Sequence, residues 1–204
     1  MKKTLVVALL ATSLLFLNCE NENSDFKITN EAIGKITKNT KVSELESIFV
    51  ADSIVAENGV PNLNLGLTIK IEPQSDSTTT AIKEGFIYDK IEIFEKGGNQ
   101  LVSLTPTKDS IPKIENIRIY DPRYKTDKGL TINSTFKEIT EKYTIKKIIT
   151  SMNNVVILIK DSGLYFTIDK KELPESLRYD TRINIEAVQI PDAAKIKYMM
   201  LAWE

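Results

Sequence analysis

Leu63, Leu65, Leu67, Ile69 and Ile71 are apolar at every second position, the spacing of a strand with one buried face. Residues 86–94 predict a further strand. Glu95-Lys96-Gly97-Gly98-Asn99 then precedes Leu101-Val102-Ser103-Leu104. A Gly pair accepts positive φ, so this stretch predicts a hairpin. A second hairpin is predicted from residues 155–159, a turn at Asp161-Ser162-Gly163 and a return through 164–168. Residues 183–190 and 194–203 predict closing strands. The last of these is apolar on both faces from Tyr198 to Trp203, which predicts a covered strand and not an exposed edge.

Two helices interrupt this β pattern. Val42, Leu45 and Phe49 have i, i+3, i+7 spacing, and so have Phe136, Ile139 and Tyr143. Asn39-Thr40 precedes the first trio and Asn133-Ser134-Thr135 the second, residue types that cap free N–H groups at a helix start. Residues 36–49 align without gaps on residues 130–143, with a Thr, an Asn and a Glu identical and the apolar trios superposed. This alignment predicts a duplicated unit. Residues 72–80 and 105–112 are rich in Pro, Ser, Thr and Asp and predict surface loops. The second of them divides the chain, giving a first half at 26–104, a linker at 105–113 and a second half at 114–204.

The N-terminus predicts export. Met1-Lys2-Lys3 is positively charged, and the apolar run from Leu5 to Leu17 is shorter than the roughly 20 residues a membrane-spanning helix needs. A charged start and a short apolar core ending at Asn18-Cys19 read as a secretory signal over residues 1–18. The chain's one cysteine sits where that run ends. This placement resembles lipoprotein signals, which implies that Cys19 is lipidated as the first residue of the mature chain. Phe16-Leu17-Asn18 stands where such signals usually carry Leu and two small residues, so ordinary cleavage leaving a free thiol is the alternative. The acidic, polar residues 19–25 fit a tether. The expected location is the cell envelope, at the outer membrane on its periplasmic or surface face, with membrane lipid as a partner through Cys19.

Charge and residue types then narrow the chemistry. Without Lys2 and Lys3, 25 basic residues face 28 acidic ones, a net charge of −3 with no basic block, so no nucleic-acid partner is expected. The chain has no histidine. With Cys19 assigned to lipid, Ser-His-Asp and Cys-His catalysis, His-containing zinc sites and thiol redox chemistry are all removed. Ser134-Thr135-Phe136-Lys137 spells the S-x-x-K of penicillin-binding proteins and serine β-lactamases, and Ser151-Met152-Asn153 an S-x-N. No K-T-G or K-S-G follows, and capping of the second helix by Asn133 or Ser134 explains the same residues. Asp121 to Asp127 superficially resembles a calcium loop, but Arg123, Lys125 and Lys128 oppose a divalent cation there, so a turn is expected. No metal, cofactor or catalytic residue is assigned.

Asp121-Pro122-Arg123-Tyr124-Lys125-Thr126, Gly129-Leu130-Thr131-Ile132-Asn133-Ser134-Thr135, a short helix to Tyr143 and a hairpin together resemble a motif of uncharacterised bacterial lipoproteins. Those relatives usually have Gly-Ser-Thr or Gly-Asp-Thr where this chain has Asn133-Ser134-Thr135. The module is similar to half of the β-lactamase-inhibitor-protein fold. The resemblance covers residues 117–169, and residues 33–50 more faintly. It implies an α+β fold, β-rich overall, of a duplicated unit with a short helical segment packed on antiparallel sheet. Fold carries no activity. The expected function is a non-catalytic binding or assembly module holding a protein or glycan partner in the envelope. The alternative is a carboxylate-dependent hydrolase of envelope polysaccharide.

Overall fold

A computed structural model describes residues 24–57, 60–61, 78–79, 86–179 and 183–203. The signal, Cys19, the tether as far as Asn23 and the strand expected at 63–71 lie outside the described residues, as does most of the loop at 72–80.

In chain order the elements are β1 (Lys27–Ile28), β2 (Ala32–Ile33), β3 (Ile36–Thr37) and a 3-10 turn at Val42–Glu44 leading into α1 (Leu45–Ile48). Then come β4 (Ser53–Glu57), β5 (Val60–Pro61), β6 (Thr78–Thr79), β7 (Phe86–Ile87), β8 (Lys90–Phe94), β9 (Gln100–Pro106) and β10 (Ile114–Ile119). The chain continues with β11 (Lys125–Thr126), α2 (Phe136–Lys142), β12 (Ile145–Thr150), β13 (Asn154–Ile159), β14 (Leu164–Asp169), α3 (Glu175–Arg178) and β15 (Ile196–Ala202). This is a β-dominated α+β fold.

One nine-stranded antiparallel sheet, in the order β12-β13-β14-β15-β10-β9-β8-β4-β6, carries the molecule. Strands from both halves of the sequence build it, and the halves meet where β9 pairs with β10 near its middle. A small sheet in the order β11-β1-β2-β3 contains the parallel pair β1–β11, and β5 and β7 pair separately. The alternating positions of the large sheet point one set of side chains inward. Ile54, Ile91, Ile93, Val102, Leu104, Ile117, Phe166, Met199 and Leu201 belong to a single buried cluster with Val42, Leu45 and Phe49 and with Phe136 and Ile139. The two helical segments therefore cover one face of the sheet, and the apolar trios read from the sequence are the contact.

Both predicted hairpins form. Gly97 and Gly98 take φ of 119° and 93°, and Gly98 N–H closes on Glu95 O at 2.9 Å. At the other, Asp161 accepts φ 55° and Ser162 Oγ receives Leu164 N–H at 3.1 Å. Residues 105–113, expected as a linker, are the end of β9 and the turn into β10. The doubly apolar final strand is interior, flanked by β14 and β10, as its pattern predicts. The edge strand β12 carries exposed Lys146 and Lys147 at a bulge, which discourages pairing with another chain.

The same hydrogen bonds hold both helix starts. Thr37 N–H donates to Thr40 Oγ1 at 2.9 Å, and Thr131 N–H to Ser134 Oγ at 3.3 Å. Thr40 O accepts Ile114 N–H at 3.1 Å, and Ser134 O accepts Ile196 N–H at 3.3 Å. Val42 N–H reaches Pro112 O and Phe136 N–H reaches Ala194 O, both at 2.9 Å. Each helix start is thus sewn to the first residue of β10 or β15. The register breaks at matching places as well, between Ile114 and Asn116 on β10 and opposite Thr167 and Ile168 on β15.

Three expectations change. The N-cap of α2 is Thr135, not Asn133 or Ser134; Ser134 instead turns inward and is buried. Residues 86–94 are two strands in different sheets, β7 and β8. Residues 183–190 form no strand. Glu186 N–H bonds to Gln189 Oε1 at 2.9 Å and Gln189 N–H returns to Glu186 O at 3.0 Å, so local bonds close a 3-10 turn at Ala187–Gln189 before Pro191.

Candidate functional site: the open face of the sheet

The positions that alternate with the core point to the face that the described helices leave uncovered. Cross-strand pairing places Val55, Glu92, Ser103, Arg118, Met200, Tyr165, Leu158 and Lys147 in one row across eight strands. Directly opposite residues in antiparallel strands have Cβ atoms roughly 5 Å apart, so the row is continuous surface. A second row adds Ile149, Val156, Thr167 and Tyr198. The face mixes aliphatic, aromatic and polar side chains, and most are half-buried against each other.

Charges on this face are largely neutralised within it. Lys90 Nζ lies 3.0 Å from Glu57 and 3.2 Å from Glu92, and Gln100 Nε2 donates to Glu92 at 2.9 Å. The Lys90 ammonium is held above its ordinary pKa, chiefly by its bond to Glu57. Lys197 Nζ donates to Asp169 at 2.8 Å and to Asn154 Oδ1 at 3.2 Å. Asp169 is lowered first by the Lys171 N–H and then by Lys197. Asn116 Nδ2 donates to Tyr165 Oη at 2.7 Å, and burial raises the Tyr165 phenol.

Arg118 is different. It pairs with Met200 where β10 meets β15, at the centre of the row. Its guanidinium lies 4.4 Å from the centroid of the Tyr198 ring. Its Nε is buried and finds no acceptor, and no carboxylate among the described residues forms an ion pair with it. A buried donor without an acceptor is costly, on the order of 1–3 kcal/mol.

At one end of this face a groove of about 870 Å³ opens beside the Asp161-Ser162-Gly163 turn. Leu158, Tyr165 and Ala202 extend the open face into it, and Lys38, Lys146 and Lys160 line it with Glu31 and Asp161. The turn is pinned by Ser162 Oγ donating to Asn30 Oδ1 at 2.7 Å, while Trp203 Nε1 donates to Asn30 O at 2.8 Å. The charges look scattered in the sequence, yet the fold gathers three lysines here.

The residues singled out from the sequence sit elsewhere. Ser134 Oγ contacts Glu138 Oε1 at 3.5 Å, while Lys137 faces solvent 4.0 Å from Glu141, so the S-x-x-K residues do not form a nucleophile–base pair. Ser151 Oγ donates to Asn154 O in the β12–β13 turn. In the Asp121–Asp127 loop, Arg123 occupies the Asp121 carboxylate, and Tyr143 Oη donates to Asp127 at 2.7 Å. That loop is the expected turn. Cys19 lies outside the described residues. Arg118 was missed because Ile114-Glu115-Asn116-Ile117-Arg118-Ile119 reads simply as a strand with polar alternate positions. Only the pairing of β10 with β15 shows which side chains flank it, Met200 among them, and no acid among the described residues forms an ion pair with it.

The fold is similar to that of the uncharacterized protein yfeY from Escherichia coli, with a TM-score of 0.50 over 87% of this chain and 99% of that chain, at 10% sequence identity. At that identity the likeness is one of fold. No family model and no curated protein matches the sequence.

Proposed function

We propose that the chain is a lipid-anchored binding or assembly module of the cell envelope, without catalysis of its own, which holds its partner on the open face of the nine-stranded sheet. The observation that carries this reading is the row from Val55 to Lys147. It is a continuous half-buried surface of mixed character that no helix among the described residues covers. Contiguous exposed apolar surface rimmed by polar residues marks interaction sites and ligand-binding grooves. The residue types agree, since the chain has no histidine and the acids on the face, Glu57, Glu92 and Asp169, are tied to lysines.

The matching bonds at the two helix starts support a duplicated module like that of the β-lactamase-inhibitor protein. In this reading the copies divide after β10 and not at residues 105–113, so that α1 with β4, β8, β9 and β10 is one copy, and α2 with β12, β13, β14 and β15 is the other. The pair Arg118–Met200 then marks the axis relating them. Cys19 supplies the anchor, its two or more acyl chains binding firmly where a single chain binds reversibly. The anchor is tested by fractionating cells that express the full chain or Cys19→Ala. The expected result is release of the variant from the membrane fraction and loss of labelled fatty acid. Retention at the wild-type level refutes the anchor.

A further inference from the structure

We infer that the open face takes an extended protein segment carrying alternating acidic and apolar side chains, with one carboxylate seated on Arg118. The inference rests on reading that face as the binding surface and adds the partner's chemistry.

Charge complementarity carries it. Every other cation described on the face has an acid of its own within the molecule, or stands at the β12 edge. The Arg118 side chain, in the middle of the sheet, makes no hydrogen bond or ion pair among the described residues; its buried Nε–H is closed to a partner, which leaves the Nη groups to receive a carboxylate. A guanidinium presents a planar fork that matches a carboxylate, and stacking on Tyr198 holds that fork in one orientation. From Arg118 the surface continues past Met200 and Tyr165 into the groove, where Lys38, Lys146 and Lys160 make no ion pair among the described residues. These cations are separated by apolar contacts, Met200, Leu158 and Ala202. An extended chain turns every second side chain to the same face, so acids at alternate positions meet these cations together while the apolar residues between them face away. A sugar prefers a bare aromatic face, and the Tyr198 ring is already covered by Arg118, which favours protein over glycan.

The test uses the full chain and a fluorescein-labelled peptide, acetyl-Glu-Leu-Glu-Leu-Glu-amide, with its all-Gln analogue and polygalacturonate as comparison probes. Saturable binding of the Glu peptide is expected, with the Gln analogue weaker by on the order of tenfold or more. Arg118→Met should lower affinity by a similar factor. Met200→Glu is the second variant. It supplies a carboxylate directly across the strand pair from Arg118, satisfies the guanidinium internally, and should abolish binding in a chain whose circular dichroism is unchanged. No saturable binding of the Glu peptide, equal affinity for the Gln analogue, or undiminished affinity in folded Met200→Glu overturns the inference. Polygalacturonate that binds as tightly, and is lost equally in Arg118→Met, reassigns the site to a glycan and overturns it too. That last outcome leaves a binding module standing, and the Cys19→Ala fractionation reads the anchor independently of every peptide result.

Discussion

Arg123 grips Glu95 with two parallel bonds, Nη1 to Oε1 and Nη2 to Oε2, each 2.9 Å long. The same guanidinium donates through Nε and Nη2 to Asp121, and its carbon lies 4.2 Å from the centroid of the Phe26 ring. One side chain thus ties the β8–β9 turn, the loop after β10 and the start of the described chain together. The two acids differ in surroundings, Asp121 being buried and Glu95 about one-third exposed. Glu95→Gln should therefore cost only about 0.5–1 kcal/mol, the scale of a surface pair. Arg123→Met leaves the Asp121 carboxylate buried with only a backbone partner and should cost more, about 2–4 kcal/mol. Urea midpoints at constant slope check the ranking, which is wrong if the two variants unfold together.

Acid sensitivity follows from the same carboxylate. The Arg123 guanidinium holds Asp121 below its ordinary value, the Thr135 N–H does so for Glu138, and the Lys171 N–H for Asp169. With folded values depressed, the unfolded chain binds more protons once the pH falls toward about 4. Their stabilisation is fully present above the unfolded values and is lost as pH falls through the folded ones. Thermal midpoints should be level from pH 7 to about pH 5 and decline below it. Asp121→Asn should flatten that decline, and an unchanged acid limb in the variant would remove Asp121 from the explanation.

The two helix starts offer a paired comparison. Glu44 accepts the Lys41 N–H at 2.9 Å, and Glu138 accepts the Thr135 N–H at 2.8 Å. Glu138 also receives the Thr135 hydroxyl at 3.2 Å. Replacing each Glu by Ala should destabilise by about 0.5–1 kcal/mol, with Glu138→Ala the larger because a second donor is left unmet. Denaturation of both single variants and the double variant tests this. The sites lie on different segments, so the two costs should add within about 0.5 kcal/mol.

What the sequence made legible was local. The trios Val42, Leu45, Phe49 and Phe136, Ile139, Tyr143 needed only helical spacing to be found, and the Gly97-Gly98 hairpin only the conformational freedom of glycine. The alignment of residues 36–49 with 130–143 matched positions to which the structure gives the same hydrogen bonds. The candidate site was not legible, because a row across eight strands exists only through register, and register between β10 and β15 joins residues far apart in the chain. Alternation shows that Arg118 faces away from the core, but not that Met200 lies opposite it. Residues 183–190 misled because period-two apolar spacing also fits a chain whose Ile185 and Ile190 drop into the core on either side of a 3-10 turn.

Gly163 separates steric demand from backbone conformation. A Cβ built there would lie 2.0 Å from Ala202 O, closer than any real contact, whereas at Gly97 it meets nothing within 4 Å. Gly97 has φ 119°, so Gly97→Ala is strained by its own backbone alone, while Gly163 has no positive φ and fails only by collision. The obstacle at Gly163 is a carbonyl in the β14–β15 ladder, and Ala202 N–H already donates to Gly163 O at 3.0 Å. Neither strand can withdraw without loosening that bond, so Gly163→Ala should cost about 1–3 kcal/mol as an overpacked site. The displaced strand end carries Ala202 on the groove wall and Trp203, whose Nε1 holds Asn30. Gly163→Ala should therefore also shift Trp203 fluorescence in the folded protein, and Gly97→Ala should not. Equal fluorescence changes in the two variants would show that the turn and the groove are not mechanically joined.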